Sequence, residues 1–337
     1  MNETDPRYSG IGLVADMRQV PAIVRGLDTA RIIAFAERIR GEAVLLSGEG
    51  SSRIFPAGKV LADSRRHSYR DRMYTEACTQ ALEYELASTT VFVASNSGRT
   101  KEGVRLIRWL REKGCAGIIG VVAQAGTPIA LEADASYILS CGPERAIAAS
   151  KSVVEQALFY DLLFRSRNGL ALPDLGLLAE RMDAALRLTV PRETTKALAA
   201  ASMLYWAGRK DGVAEELTLK TNEMTRKKSD YLEGTYAAHG IEEVMDASDA
   251  AIIVDPFPAE EQKFEEVLAG TVGLKTFAIA HRASRFPSLQ VEGAGDMTPY
   301  VQLCAGWNLL VEVGIALGVN LDKPVRARKV GNEFLGA

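Results

Sequence analysis

TVFVASNSGRTKEGVRLIRWLREKG, residues 90–114, is the stretch that decides the fold. Residues 90–94 are a short, nearly continuous apolar strand, residues 95–100 a Ser/Gly turn, and a helix runs on to Gly114. A strand that is apolar on both faces is buried on both, as in a parallel sheet with helices above and below. Outward from this stretch the same order recurs. Residues 43–47 (AVLLS) form a strand, followed by a Gly/Ser turn and a helix through residues 55–62. GIIGVV at 117–122 and ASYILS at 135–140 predict two more buried strands, and SKSVVEQALFYDLLFRS at 150–166 a long helix. In front of them, residues 22–41 have apolar positions at helical spacing and predict one helix.

NGLALPDLG, residues 168–176, gathers Gly, Pro and Asn between two helical patterns and predicts a linker. The grammar then returns: a helix at 179–188, a strand at 203–208, a helix at 212–227, a strand at 250–255, a helix at 259–270, a strand at 275–280 and a helix at 300–318. The expected fold is α/β with two tandem units, each a mostly parallel sheet flanked by helices on both faces. The expected boundaries are an extension at 1–24, a first unit at 25–168, a linker at 169–176, a second unit at 177–318 and a tail at 319–337. The tail is too polar for a core helix and is expected to cross the surface or reach into a site.

Bulk properties narrow the function classes. The 337 residues are 47% apolar and 25% charged, with a net charge of −3, which argues against a nucleic-acid binder. No apolar run has the length of a membrane span, and MNETDPRYSG lacks the pattern of a secretion signal, so a cytoplasmic protein is expected. Cys78, Cys115, Cys141 and Cys304 lack metal-ligand spacing and read as reduced thiols. His67, His239 and His281 are too separated for a histidine metal site, so neither metal nor cofactor is expected. His67 and His281 read as surface positions, and Trp109, Trp206 and Trp307 as core.

Ligands of open parallel sheets bind beyond the carboxyl ends of the strands. Three loops there are candidates. Ser51, Ser52 and Arg53 follow the first strand. Ser95, Asn96, Ser97, Gly98, Arg99 and Thr100 precede a helix, where hydroxyls and free backbone N–H groups make an anion cradle. Ala149 and Ser150 open a third helix, with Ser150 at an N-cap-like position. Each loop alone also reads as an ordinary turn or cap.

SNSGRT at 95–100 resembles the S-x-S-G-x-T phosphate loop of the SIS (sugar isomerase) family. That family includes the isomerase half of glucosamine-6-phosphate synthase and the Amadori-product deglycases. Residues 50–53 (GSSR) are similar to its first sugar loop, and ERAIAASK at 144–151 to its E-x-G-V-A-S-T-K segment. ELTLKTNE at 216–223 is similar to E-G-A-L-K-L-K-E, which implies Lys220 as the family's lysine and Glu223 as its catalytic glutamate. His239-Gly240 follows sixteen residues later, at the family's spacing, and PVRARK at 324–329 resembles P-R-N-L-A-K, whose lysine falls on Lys329. The likeness covers about residues 25–330. It departs where His239-Gly240 is followed by Ile241, where Arg99 stands at a commonly acidic position, and in showing no glutaminase domain, so glutamine hydrolysis is not expected.

The resemblance implies an aldose–ketose isomerase acting on a phosphorylated or sulfonated sugar through an enediol. Glu223 would shuttle the proton, Lys220 stabilise the enediol, His239 open the ring, and Lys329 clamp the sugar or form a Schiff base with it. It also implies a homodimer whose sites are shared, with His239 given by the neighbouring subunit. A deglycase of phosphorylated fructosyl-amine adducts needs the same residues. A non-catalytic sugar-phosphate sensor needs none of the four, and the residues before the first helix are too few for a DNA-binding module.

Overall fold

A computed structural model of the chain describes Met1 and residues 4–326. Contacts divide them into two units, one of Ala22–Asp174 and one of Met1–Pro21 with Leu175–Pro324. The division falls inside α1 (Gly12–Arg25).

The first unit runs α2 (Thr29–Ile33), β1 (Ala43–Gly48), α3 (Ile54–Arg66), β2 (Arg72–Ala77), α4 (Cys78–Ala81), β3 (Thr89–Ser95), α5 (Lys101–Lys113), β4 (Gly117–Val122), α6 (Pro128–Glu132), β5 (Ala135–Ile138) and α7 (Lys151–Arg167). Its strands stand in the order β2-β1-β3-β4-β5, all pairs parallel. Val91 and Val93 of β3 join one core with Val104, Ile107 and Leu110 of α5. Phe92, between them, turns to the opposite face and meets Phe159, Tyr160 and Phe164 of α7 edge-on. That alternation is why β3 is apolar throughout.

The second unit holds α8 (Leu175–Arg187), α9 (Arg192–Ala200), β6 (Met203–Gly208), α10 (Val213–Thr225), β7 (Lys228–Glu233), β8 (Ala250–Val254), α11 (Glu261–Phe264), β9 (Lys275–Ala280), β10 (Ser288–Gln290) and α12 (Thr298–Ala316). Glu265–Val272, after α11, is π-helical. The strand order is β10-β9-β8-β6-β7, again wholly parallel. Trp206 of β6 is fully buried and donates its indole N–H to Thr221 Oγ1 of α10 at 2.7 Å. Among the described residues no helix is long and apolar enough to cross a membrane.

Several expectations need correction. The single helix at 22–41 is broken: α1 begins earlier and ends before Gly26, and the Asp28 carboxylate accepts from Arg31 N at 3.0 Å to start α2 afresh. Strands β2, β7 and β10 and helix α9 were not foreseen. All three strands are sheet edges, where burial is one-sided, so RMYTEA and KSDYLE lack the continuous apolar run that marks a central strand. Trp206 and Trp307 are core, but Trp109 is half-buried at the margin of the α5 core. His281 is exposed and lies 2.8 Å from Asp255 Oδ1, while His67 is half-buried beside Tyr69.

Between α3 and α7 the first unit buries a charge network. Lys59 Nζ lies 2.7 Å from Asp63 Oδ2 and 3.0 Å from Asp161 Oδ2, with all three side chains at 0% exposure. Arg165 adds a contact of 3.3 Å to Asp63. Burial alone would push the Lys59 ammonium down, but Asp161 and Asp63 outweigh it and hold it above its ordinary value. Removing the lysine takes its ammonium from two buried carboxylates, of which Asp63 keeps Arg66 and Arg165. Lys59→Met is therefore expected to cost about 3–5 kcal/mol of stability in urea unfolding. A loss below about 1 kcal/mol would show that the network is not tightly buried.

Candidate functional site

The parallel order places the turns after β1, β3 and β5 on one edge of the first sheet, with the strand order reversing between β1 and β3. The turn after β3 is built from its own side chains. Ser95 Oγ accepts from Gly98 N at 3.0 Å and lies 2.8 Å from Thr100 Oγ1, while Ser97 Oγ accepts from Arg99 N at 3.2 Å. Thr100 stands at the N-cap of α5, a 13-residue helix, without a side-chain capping bond, so its side chain leaves the helix N-terminus to other partners. Asn96 Nδ2 is buried and has no hydrogen-bond partner among the described residues. Gly98 has φ +66, and a Cβ there would fall 2.1 Å from Thr127 Oγ1, so the loop closes on Thr127 only because the position lacks a side chain.

Beside it, Ser51 and Ser52 lie in a 3₁₀ turn and Arg53 at the N-cap of α3, all half-buried. Arg53 Nε is buried without a hydrogen-bond acceptor among the described residues. A second unmatched donor thus stands on the same edge as Asn96 Nδ2. Glu49, just before this turn, accepts from Cys78 N at 3.0 Å, and burial raises its carboxyl above the usual range. Burial also pushes the Cys78 thiol up to about 12, which rules out a resting thiolate.

The start of α7 differs from its expected form. Ser150 is fully buried at the N-cap but makes no capping bond with its side chain. Glu144 does that work: its Oε1 accepts from Ser150 N at 3.1 Å, Ser152 N at 2.9 Å and Ser152 Oγ at 2.8 Å. The anion at this helix start is the chain's own carboxylate, with Ala149 half-buried beside it.

In the second unit, Lys220 is fully buried and its ammonium bridges Glu223 Oε2 at 2.7 Å and Glu216 Oε1 at 3.3 Å. Desolvation would lower the Lys220 ammonium, but Glu223 and Glu216 prevail and raise it. Glu223 keeps 31% of its side chain exposed, so its carboxylate is clamped on one side and accessible on the other. His239 is exposed after a 3₁₀ turn, with Nε2 3.1 Å from Lys263 Nζ. The two residues are not brought together. Glu223 sits in the last turn of α10, which returns to the amino edge, whereas His239 follows β7, which crosses back to the carboxyl edge. Six residues of strand separate those edges by about 20 Å. Lys329 lies outside the described residues.

Sequence reasoning passed over Thr127, Glu144 and Glu49. Thr127 was invisible because its part is steric, against a glycine 29 positions away. Glu144 had a signal in its place six residues before Ser150, within the quoted segment.

Comparison with known proteins bears on the family and the fold. The SIS domain family matches residues 82–166, which span β3, α5, β4, β5 and most of α7. The glutamine–fructose-6-phosphate aminotransferase (isomerizing) of Aeropyrum pernix is 25% identical, over 93% of this chain and 53% of its own length. The chain thus spans about half the length of the curated relatives it matches. Among solved structures, the C-terminal domain of glucosamine-fructose-6-phosphate aminotransferase from Francisella tularensis superposes with a TM-score of 0.79 at 15% identity, covering 95% of this chain and all of that one. Tagatose-6-phosphate ketose/aldose isomerase from Escherichia coli gives 0.76 at 16% identity, covering 97% and 100%. At such identities these structures establish the fold alone. The chain carries an SIS domain and has the two-sheet α/β fold of phosphosugar isomerase-type proteins.

Proposed function

We propose that the chain is an aldose–ketose isomerase for a sugar bearing a phosphate or sulfonate. The observation that carries this reading is the turn after β3: a helix start that Thr100 does not cap with its side chain, two hydroxyls and a buried amide donor with no acceptor among the described residues. Such a turn is suited to an oxyanion and supplies nothing to an apolar ligand. Arg53 Nε, equally unmatched, fits a second oxygen of the same ligand.

The proton work falls to Glu223. Isomerisation takes a proton from the carbon beside a carbonyl and returns it to the neighbour, and one accessible carboxylate can do both. Lys220 is wholly buried, so its role is to aim Glu223 through their 2.7 Å contact rather than to touch the sugar widely. His239 has the donor and acceptor needed to pass a proton between ring oxygen and anomeric hydroxyl. Because Glu223 and His239 of one chain lie at opposite edges of one sheet, a single sugar would meet the Glu223 of one copy and the His239 of another. That supports a homodimer with shared sites.

The test is proton NMR in D2O with fructose 6-phosphate, 6-sulfofructose and a phosphorylated fructosyl-amino acid. Deuterium is expected at C1 of one of the two ketoses. Amine release from the adduct alone would make the protein a deglycase, and binding without exchange would make it a sensor. Glu223→Gln is expected to lower exchange about 100- to 10,000-fold with its fold intact by circular dichroism. Gly98→Ala, which drives a methyl into Thr127, is expected to cost about 100-fold in kcat/KM. A mixture of Glu223→Gln and His239→Asn proteins, each inactive alone, is expected to regain up to about a quarter of wild-type activity through mixed dimers. No recovery after verified subunit exchange would place both residues in one chain's site.

A further inference from the structure

The opposite edge of the first sheet, where the strands begin, carries a second feature that the sugar chemistry leaves unused. A cleft of about 180 Å³ opens there, lined by residues 39 and 41–44, by Arg70, Asp71 and Arg72, and by Arg167. A smaller one of about 80 Å³ adjoins it across the chain segment before β1 and is lined by Arg38, Arg40 and Asp134 among others. Arginine 38, 40, 70 and 72 are all exposed. Two of the carboxylates present are already committed. Asp71 receives Arg167 Nε at 2.8 Å and Asn168 Nδ2 at 3.1 Å, and Asp134 lies 3.0 Å from Arg111. Arg38, Arg40, Arg70 and Arg72 have no ion-pair partner among the described residues, and Glu42 is the one remaining carboxylate that lines either cleft.

The backbone that carries these arginines is fixed. Arg40 N donates to Thr90 Oγ1 at 2.9 Å, and Glu42 N donates to Ser88 O at 2.8 Å. Gly41, at φ +80, makes that contact possible, since a Cβ there would lie 2.2 Å from Ser88 O. On the other wall, Arg70 N donates to Asn168 Oδ1 at 2.8 Å, which ties the turn before β2 to the end of α7. Arg70 and Arg72 line one cleft and Arg38 and Arg40 the other; each like-charged pair repels itself, and an anion of several charges that spans the chain segment between the clefts relieves that repulsion. Arginine in place of lysine at all four positions suits paired phosphate oxygens, which the guanidinium fork binds two at a time.

We propose that this amino edge is a second anion site, separate from the sugar loops, for an oligophosphate group such as a linked diphosphate. The proposal does not rest on the isomerase reading. It places the ligand about 20 Å from the turn after β3, the length of a six-residue strand.

The test is isothermal titration of the whole chain with pyrophosphate, with inorganic phosphate and KCl of equal ionic strength as comparisons. Pyrophosphate is expected to bind more tightly than phosphate, and KCl to give no saturable heat. Arg70→Gln/Arg72→Gln is expected to weaken the tighter pyrophosphate binding event about tenfold or more and Arg38→Gln/Arg40→Gln to weaken it similarly, while Ser97→Ala/Thr100→Val removes only binding at the sugar loops and leaves that tighter event in place. Circular dichroism and thermal melting verify that each variant is folded, and the second arginine pair keeps the test decisive where the first misfolds. No saturable binding by the wild type would overturn the site, as would unchanged affinity in folded arginine variants. Loss of the tighter event in the Ser97/Thr100 variant alone would assign it to the sugar loops instead.

Discussion

Every strand pair in both sheets is parallel, and this constraint governs where polar chemistry can stand. A parallel pair cannot be joined by a hairpin, so each return passes through a crossover, usually helical. The helices after β1 and β3 and before the next strands therefore run the same way, with N-termini at the carboxyl edge and C-termini at the amino edge. Their dipoles add rather than cancel. The carboxyl edge gains helix N-termini, and it holds SNSGRT, GSSR and the start of α7, the last capped by Glu144. The amino edge gains carbonyl ends, and the last turns of α3, α5 and α7 are basic: Arg65 and Arg66, Arg111 and Lys113, Arg165 and Arg167. The two edges thus differ in what they offer an anion, backbone amides at one and, at the other, the side chains of Arg38, Arg40, Arg70 and Arg72, which lie outside those last turns.

Both units also bury a lysine, and both settle it the same way. Lys59 is shared by Asp63 and Asp161, and Lys220 by Glu216 and Glu223. Each lysine has one partner four residues away on its own helix; for Lys59 the other comes from α7, whereas for Lys220 both lie on α10. The second partner distinguishes them. Asp161 is fully buried, so the first network can only hold α3 and α7 together. Glu223 is partly exposed, so the second leaves a carboxylate held by Lys220 on one side and open to solvent on the other.

The central strands and the long helices were legible because burial on two sides imposes an unbroken apolar run. β3, β4, β6 and β9 appear within a residue of where their sequences place them. β2 and β7 were not legible: an edge strand needs only one apolar face, and RMYTEA satisfies it with two residues. Helix starts were misread where a distant side chain does the capping. Ser150 looks like a cap by type and position, yet Glu144 reaches in from the preceding loop. For the site, Glu223 and His239 were legible only through spacing learned from a family. Neither residue type nor periodicity separates Lys220–Glu223 from a solvated helix pair; full burial of the lysine does.

The separation of Glu223 from His239 follows from β7 itself. The strand connects the end of α10 to the turn before His239, and its six residues pair in register with β6 from Lys228 to Glu233. Shortening that distance within one chain would require β7 to leave the sheet, which would unpair its ladder and expose the edge of β6. The sixteen-residue spacing between the two groups is therefore a measure of one strand traversed plus its flanking turns, not of proximity. A motif that keeps this spacing keeps its glutamate and histidine apart by construction. The separation therefore lies in the topology of α10 and β7, not in any side-chain choice at either residue.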